Sequence, residues 1–178
     1  MSILKLARNL KNDTRGMSAV EFALLLPVMT VMYLGAVELS SGLIAHRKAT
    51  AVASTAADLA AQAMALSNAD MTDIFGASKA ILEPFDSTGI KIVLTSASDQ
   101  GTGSVRVDWS DGHNTAAHAK GSTIEVPNNL VFTNGSVIIA EVEYTYTSTM
   151  GKYLTGPRVM EDTFYARPRR TLVVARVP

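Results

Sequence analysis

A chain of 178 residues has room for one domain and an anchor, but not for two sizeable cores. Without cysteine it has no disulfide framework, thiolate metal site or cysteine nucleophile. Its 16 Lys and Arg balance 16 Asp and Glu with no clustered basic face, so nucleic acid is not an expected partner.

The charges are unevenly placed along the chain. Lys5, Arg8, Lys11 and Arg15 precede a long apolar run with only Asp13 against them, so the chain after residue 16 is mildly acidic. From Phe22 to Val37 there is no charge, and beyond Glu38 the sequence stays uncharged from Leu39 to Ala45. A hydrocarbon core of ~30 Å takes about 20 helical residues, so residues 22–45 span it if Glu38 lies near the far headgroups. A basic flank on one side only predicts an anchor whose N-terminus stays in the cytoplasm. Residues 1–16 then form a basic leader and residues 17–45 a transmembrane helix. Pro27 removes one backbone hydrogen bond inside the span and is expected to kink the helix or loosen its first turns. Glu21 lies at the edge of the run, where an ordinary headgroup-level acid is acceptable; placed deeper it would cost about 2.5–3.5 kcal/mol.

The helix is expected to continue past the membrane. His46, Arg47 and Lys48 open an Ala-rich stretch free of Gly and Pro through Leu66. Val52, Ala56, Leu59, Ala63 and Leu66 recur at helical spacing beside polar Ser54, Thr55, Asp58 and Gln62, predicting an amphipathic extension over residues 46–66. Residues 67–178 form the head. Asp70 and Thr72 are candidate caps for a short helix through Ile81 and Leu82, ended by Pro84.

Beyond Pro84 the period changes to two. Ile90, Ile92 and Leu94 alternate, as do Val105, Val107 and Trp109, and as do Ala140, Val142, Tyr144 and Tyr146 opposite Glu141, Glu143, Thr145 and Thr147. These predict half-buried antiparallel strands, with Thr163–Ala166 and Thr171–Val177 adding one or two more. Turn-rich stretches lie at 99–103, 110–114, 127–129 and 134–135. Arg167, Arg169 and Arg170 read as flanks of a terminal strand. The expected class is α+β: a long N-terminal helix, transmembrane then amphipathic, packed on a small antiparallel sheet.

Catalytic and ligand-binding patterns are weak. His46 belongs to the basic cluster after the apolar run. His113 and His118 lack an HExxH pattern, and a third ligand would have to come from Asp108 or Asp111. Asp108-Trp109-Ser110-Asp111-Gly112 opens like a D-x-S-x-S metal loop but has Gly112 where the second Ser belongs, so a hairpin turn is expected there. No G-x-S-x-G elbow, P-loop or G-x-G-x-x-G occurs. No catalytic residue, metal or cofactor is expected, and the chain does not read as an enzyme.

The string Arg15-Gly16-Met17-Ser18-Ala19-Val20-Glu21-Phe22, followed by ALLLPVM, resembles the processing site of type IV prepilin-like proteins. More narrowly, residues 15–50 resemble the TadE-like minor pseudopilins of the tight-adherence (Tad, Flp) pilus system. Glu141–Tyr146 and Phe164-Tyr165-Ala166-Arg167-Pro168-Arg169 look like the family's strand and terminal aromatic-Arg-Pro-Arg element. The resemblance implies a pilin-like fold and cleavage by a membrane prepilin peptidase between Gly16 and Met17. Glu21 then becomes the fifth mature residue, which in the family is thought to pair with the N-terminal amine of a neighbouring subunit.

It also implies a bacterial inner-membrane location, with the N-terminus cytoplasmic and the head periplasmic, or later incorporation into the extracellular pilus. The partners implied are the peptidase, other pilins and pseudopilins, and the Tad assembly machinery; the roles are pilus biogenesis, adhesion and biofilm formation. Major Flp pilins usually continue Glu-Tyr and end soon after the helix. Here Glu21-Phe22 and more than a hundred further residues favour a minor subunit. The alternative is an uncleaved single-pass membrane protein whose periplasmic head binds a partner.

Overall fold

A computed structural model describes residues 16–99, 101, 103–127, 130–131, 135–148 and 156–178. The basic leader 1–15 lies outside the described residues, as do parts of the expected turns at 99–103, 127–129 and 134–135. The chain divides into two compact units, Met1–Ser40 and Ser41–Pro178.

The described part of the first unit is helical. It belongs to α1, Met17–Gln62, which is assigned without a break through Pro27. The Thr30 hydroxyl donates to the Leu26 carbonyl at 2.8 Å. Its large apolar side chains, from Met17 and Phe22 to Val37 and Leu39, are exposed. Only Leu34 and Glu38 are half-buried in this stretch.

In the second unit, α1 ends at Gln62, short of the expected Leu66. The chain there turns into a two-residue strand, β1 (Ala65–Leu66). The Ala175 and Val177 amides donate to the Met64 and Leu66 carbonyls at 3.1 and 2.9 Å, and this long-range pairing displaces the last helical turn. The buried face of α1 also differs from the expected stripe. It consists of Ala45, Ala49, Val52, Ala53, Ala56, Ala57, Ala60 and Ala61, whereas Leu59 is 36 % exposed. Small side chains at helical spacing bring the helix backbone close to its neighbours, and a bulky Leu could not sit between them.

Next comes α2, Asn68–Ala80, whose N-cap is Ser67 rather than Asp70 or Thr72. Ser67 Oγ accepts from the Asp70 amide at 3.2 Å, while the Asp70 carboxylate accepts from the Ser67 amide at 2.8 Å. This reciprocal capping box satisfies two donors that a helix start otherwise leaves bare. Met71, Ile74 and Phe75 face the core. The helix stops before Leu82, which is buried in the turn leading to a cis Glu83–Pro84 bond.

The period-two segments form the strands β2 (Lys91–Asp99), β3 (Val105–His113), β4 (Ser136–Tyr146) and β5 (Arg158–Ala166). They make one antiparallel sheet in the order β3-β2-β4-β5. The expected terminal strand shrinks to β6 (Ala175–Arg176), which pairs in parallel with β1.

One face of the sheet meets the alanine face of α1 and the apolar side of α2. Ile92, Leu94, Trp109, Ile138, Ala140, Val142, Tyr144, Tyr146 and Val174 share that core. On the opposite face a smaller cluster joins Ala97, Val137 and Ile139 to Ile124, Val126, Leu130, Val131 and Tyr165. The start of β4 is therefore buried on both sides, which suits the unbroken apolar run Val137–Ala140. Further along β4, Glu141, Glu143 and Thr145 are turned away from the core, in the predicted alternation.

The expected turn at 110–114 is also corrected, because β3 runs through to His113 and the chain reverses only at Asn114, with φ of 57°. Asp108, Ser110 and Asp111 find partners beside the strand in Ser98, Thr95 and Arg176, which removes the cost of placing acids in a sheet. A Cβ on Gly112 would lie 2.3 Å from the Thr115 carbonyl oxygen, so the returning chain demands glycine there.

The buried alanine face carries a direct test. Ala53→Leu should destabilise the detergent-solubilised chain by about 1–3 kcal/mol through overpacking, whereas Leu59→Ala should stay within about 0.5 kcal/mol. Denaturant midpoints of the two variants check the difference.

Candidate processing and assembly site

Gly16 forms an exposed turn immediately before α1, and Met17 is the first helical residue. A Cβ on Gly16 would meet nothing within 4 Å, and its φ is not in the left-handed region. Local packing among the described residues therefore gives no reason for glycine at this position. Glu21 is exposed one helical turn past Met17, on the same side of the helix. Side chains in a helix lean toward its N-terminus, so the Glu21 carboxylate projects toward the level of Met17. The helix is long and apolar enough to cross a membrane, and none of its most apolar stretch is buried. Gly16, Met17 and Glu21 thus occupy one accessible helix start, and Pro27 lies further along the same exposed stretch.

The polar residues of the head are engaged in holding the fold. Asp108 accepts from Ser98 Oγ at 2.7 Å and Ser96 Oγ at 3.4 Å. Asp111 accepts from Arg176 Nε at 2.8 Å. His113 packs against Phe75, ring centroids 5.5 Å apart, and the His118 imidazole meets the Glu141 carboxylate at 2.6 Å. The four groups considered for a metal thus share no partner. Among the described residues no group of three or more His, Asp or Glu could hold a metal ion.

The C-terminal segment is tied down by contacts that the sequence does not signal. Trp109 Nε1 donates to the Val174 carbonyl at 2.7 Å in the core. Arg176 reaches Asp111, the Leu66 carbonyl at 3.1 Å and Asn68 Oδ1 at 2.5 Å. Its charge is held even more firmly than usual, first by the hydrogen bond to Asp111. Arg169 pairs with Asp58 of α1, and its amide donates to the Ala61 carbonyl at 2.9 Å. Arg167 Nε donates to the Leu130 carbonyl at 3.2 Å. At least two of the three terminal arginines are therefore docking groups following β5.

Residues 16–58 match the family model of TadE-like proteins. The similarity to TadE-like proteins of the Tad pilus system read from the helix start is therefore shown over that segment, from Gly16 into the alanine face of α1. No curated protein and no solved structure matches the chain.

His113 provides a pH signature for the packing around β3. Burial, followed by the charge of Lys79, holds its imidazole below the ordinary pKa. Between that depressed value and an unfolded value of about 6.5, the unfolded chain binds the proton and the folded chain does not. The stability difference between wild type and His113→Phe should therefore shift against wild type as pH falls through about 6.5, then level off below the folded pKa. Denaturation midpoints at a series of pH values measure it.

Proposed function

We propose that this chain is a minor pseudopilin, a structural and assembly subunit of a Tad (Flp) pilus and not an enzyme. The observation that carries the reading is the helix start itself. A glycine for which local packing among the described residues gives no reason precedes an exposed apolar helix with a single carboxylate one turn in. In this reading the basic leader holds the precursor with its N-terminus in the cytoplasm. A membrane prepilin peptidase then cuts between Gly16 and Met17, and the mature α1 enters the growing pilus beside other pilins and pseudopilins.

Glu21 sets the register of that assembly. An unpaired carboxylate inside a packed helix bundle is costly, and the new ammonium group of a neighbouring Met17 neutralises it while losing its own unpaired charge. Pro27, lacking an amide proton, leaves the Ala23 carbonyl without its helical donor and lets the first turns adjust to their neighbours. The head stays in the periplasm and serves biogenesis, adhesion and biofilm formation through contacts with other subunits.

N-terminal sequencing of protein made beside its cognate peptidase should give Met17 as the first residue, and Gly16→Ala should leave the longer precursor. A mature chain that still begins at Met1 would sink the processing claim. Glu21→Gln keeps the side-chain shape and removes the charge, so it should leave cleavage unchanged and abolish incorporation into sheared pili.

A further inference from the structure

The two edges of the four-stranded sheet are treated differently. Along β3 the segment after Asn114 returns and closes the edge. The Val107 amide donates to the Ser122 carbonyl at 3.0 Å, Gly121 donates to Val107 at 2.8 Å, and Ile124 donates to Val105 at 3.0 Å. At the other edge, β5 pairs among the described residues only with β4. It offers nine residues of strand between Pro157 and Pro168. An open edge presents amides and carbonyls that form a template for another strand; on β5 the Thr163 amide donates to the neighbouring Asp162 carboxylate at 2.9 Å, a local bond that an incoming strand would replace.

Side chains along this edge specify what it would accept. Phe164 is 40 % exposed and Val159 57 % exposed. Phe164 borders a groove of about 480 Å³ between β5 and α1, lined also by Ser54, Thr55, Asp58 and Arg169. On the opposite face Glu161 stands directly across from Glu143 in the β4–β5 register. Lys91 pairs with Glu143 at 2.7 Å, and Glu161 has no ion partner among the described residues. Like charges facing each other across a ladder destabilise it, and a cation on a further strand beside Glu161 would relieve that repulsion.

A second copy of β5 does not fit this edge. Antiparallel pairing of the strand with itself about its middle sets Asp162 against Asp162 of the other copy, and pairing about Glu161 sets Glu161 against Glu161.

We propose that the edge of β5 away from β4 docks an extended segment of a different polypeptide, which adds a strand beside it. That segment presents a Lys or Arg side chain at Glu161 and, three positions away and therefore on the other face, a large apolar side chain in the groove at Phe164. Main-chain pairing supplies the affinity and these two positions supply the selectivity. The inference uses only the head, so it does not depend on processing at Gly16.

The test uses the detergent-solubilised full-length chain and two labelled nine-residue peptides of alternating Thr and Val. Both carry a Phe three positions from a central residue, which is Lys in one and Glu in the other. Fluorescence anisotropy should show saturable binding of the Lys peptide and about ten-fold weaker binding of the Glu peptide. Glu161→Lys, an exposed change that also removes the Glu143 repulsion, should reverse the preference. Phe164→Ser should weaken both peptides, and methylating alternate peptide amides should abolish binding. Absence of saturable binding, equal binding of both peptides, or a preference unmoved by Glu161→Lys overturns the proposal. A dimer in sedimentation that Glu161→Lys alters would also overturn it, by making a second copy the occupant.

Discussion

The close approach of an alanine-lined helix to one sheet face is the contact on which the rest of the head depends. From Ala45 to Ala61 the buried positions of α1 are almost all methyl groups. The large residues of this interface come from the sheet side, where Ile92, Leu94, Ile138 and Tyr144 supply the volume. Small against large is how a layered core reaches native density without voids. The arrangement also limits what each partner tolerates: bulk can be trimmed on the sheet at the cost of a cavity, but hardly added on the helix. Lys48 donating to the Ile81 carbonyl and Thr50 donating to Asp162 fix the same helix to the turn after α2 and to β5.

That packing would be open at the C-terminal end of the helix without the last residues of the chain. Arg169, Val174 and Arg176 close it by contacting, respectively, α1, Trp109, and both Asp111 and Asn68. Each contact joins residues at least 65 positions apart in sequence. The β1–β6 pairing is only two residues long, too short to stand alone; it persists because the arginine and tryptophan bonds hold its strands in place. Of the acids that resembled a metal loop, Asp111 is part of this closure and Asp108 is held by Ser96 and Ser98 of β2, which accounts for charged residues inside β3.

The N-terminal unit obeys a different constraint. Among its described residues the apolar side chains other than half-buried Leu34 are exposed all round the helix, an arrangement unsuited to water and suited to lipid or to neighbouring helices. The head keeps one sheet edge covered, and among the described residues the other edge pairs with β4 alone. The proposed roles of Glu21 and of the β5 edge follow the same physics, in which a polar group without a partner among the described residues marks where an assembly partner would belong.

The sequence by itself determined the elements whose signal is local. The apolar run, its basic flank, the Gly16-Met17-Glu21 spacing and the alternation of Ile92, Val107 and Val142 depend on neighbours a few residues away, and those periods are written along the chain. Tertiary structure alone decided the features that depend on distant partners. The expected apolar stripe includes Leu59 and leaves out Ala53, because periodicity reports a face only within the width of a residue or two and hydropathy favours the larger side chain. Only the sheet shows that the face must be narrow and small. Leu66 left the helix because β6 offered its carbonyl a better partner than another turn, and Asp111 entered a strand because Arg176 arrived from the far end of the chain. Such choices rest on free energies of pairing between segments that the sequence does not place side by side, and no local pattern encodes them.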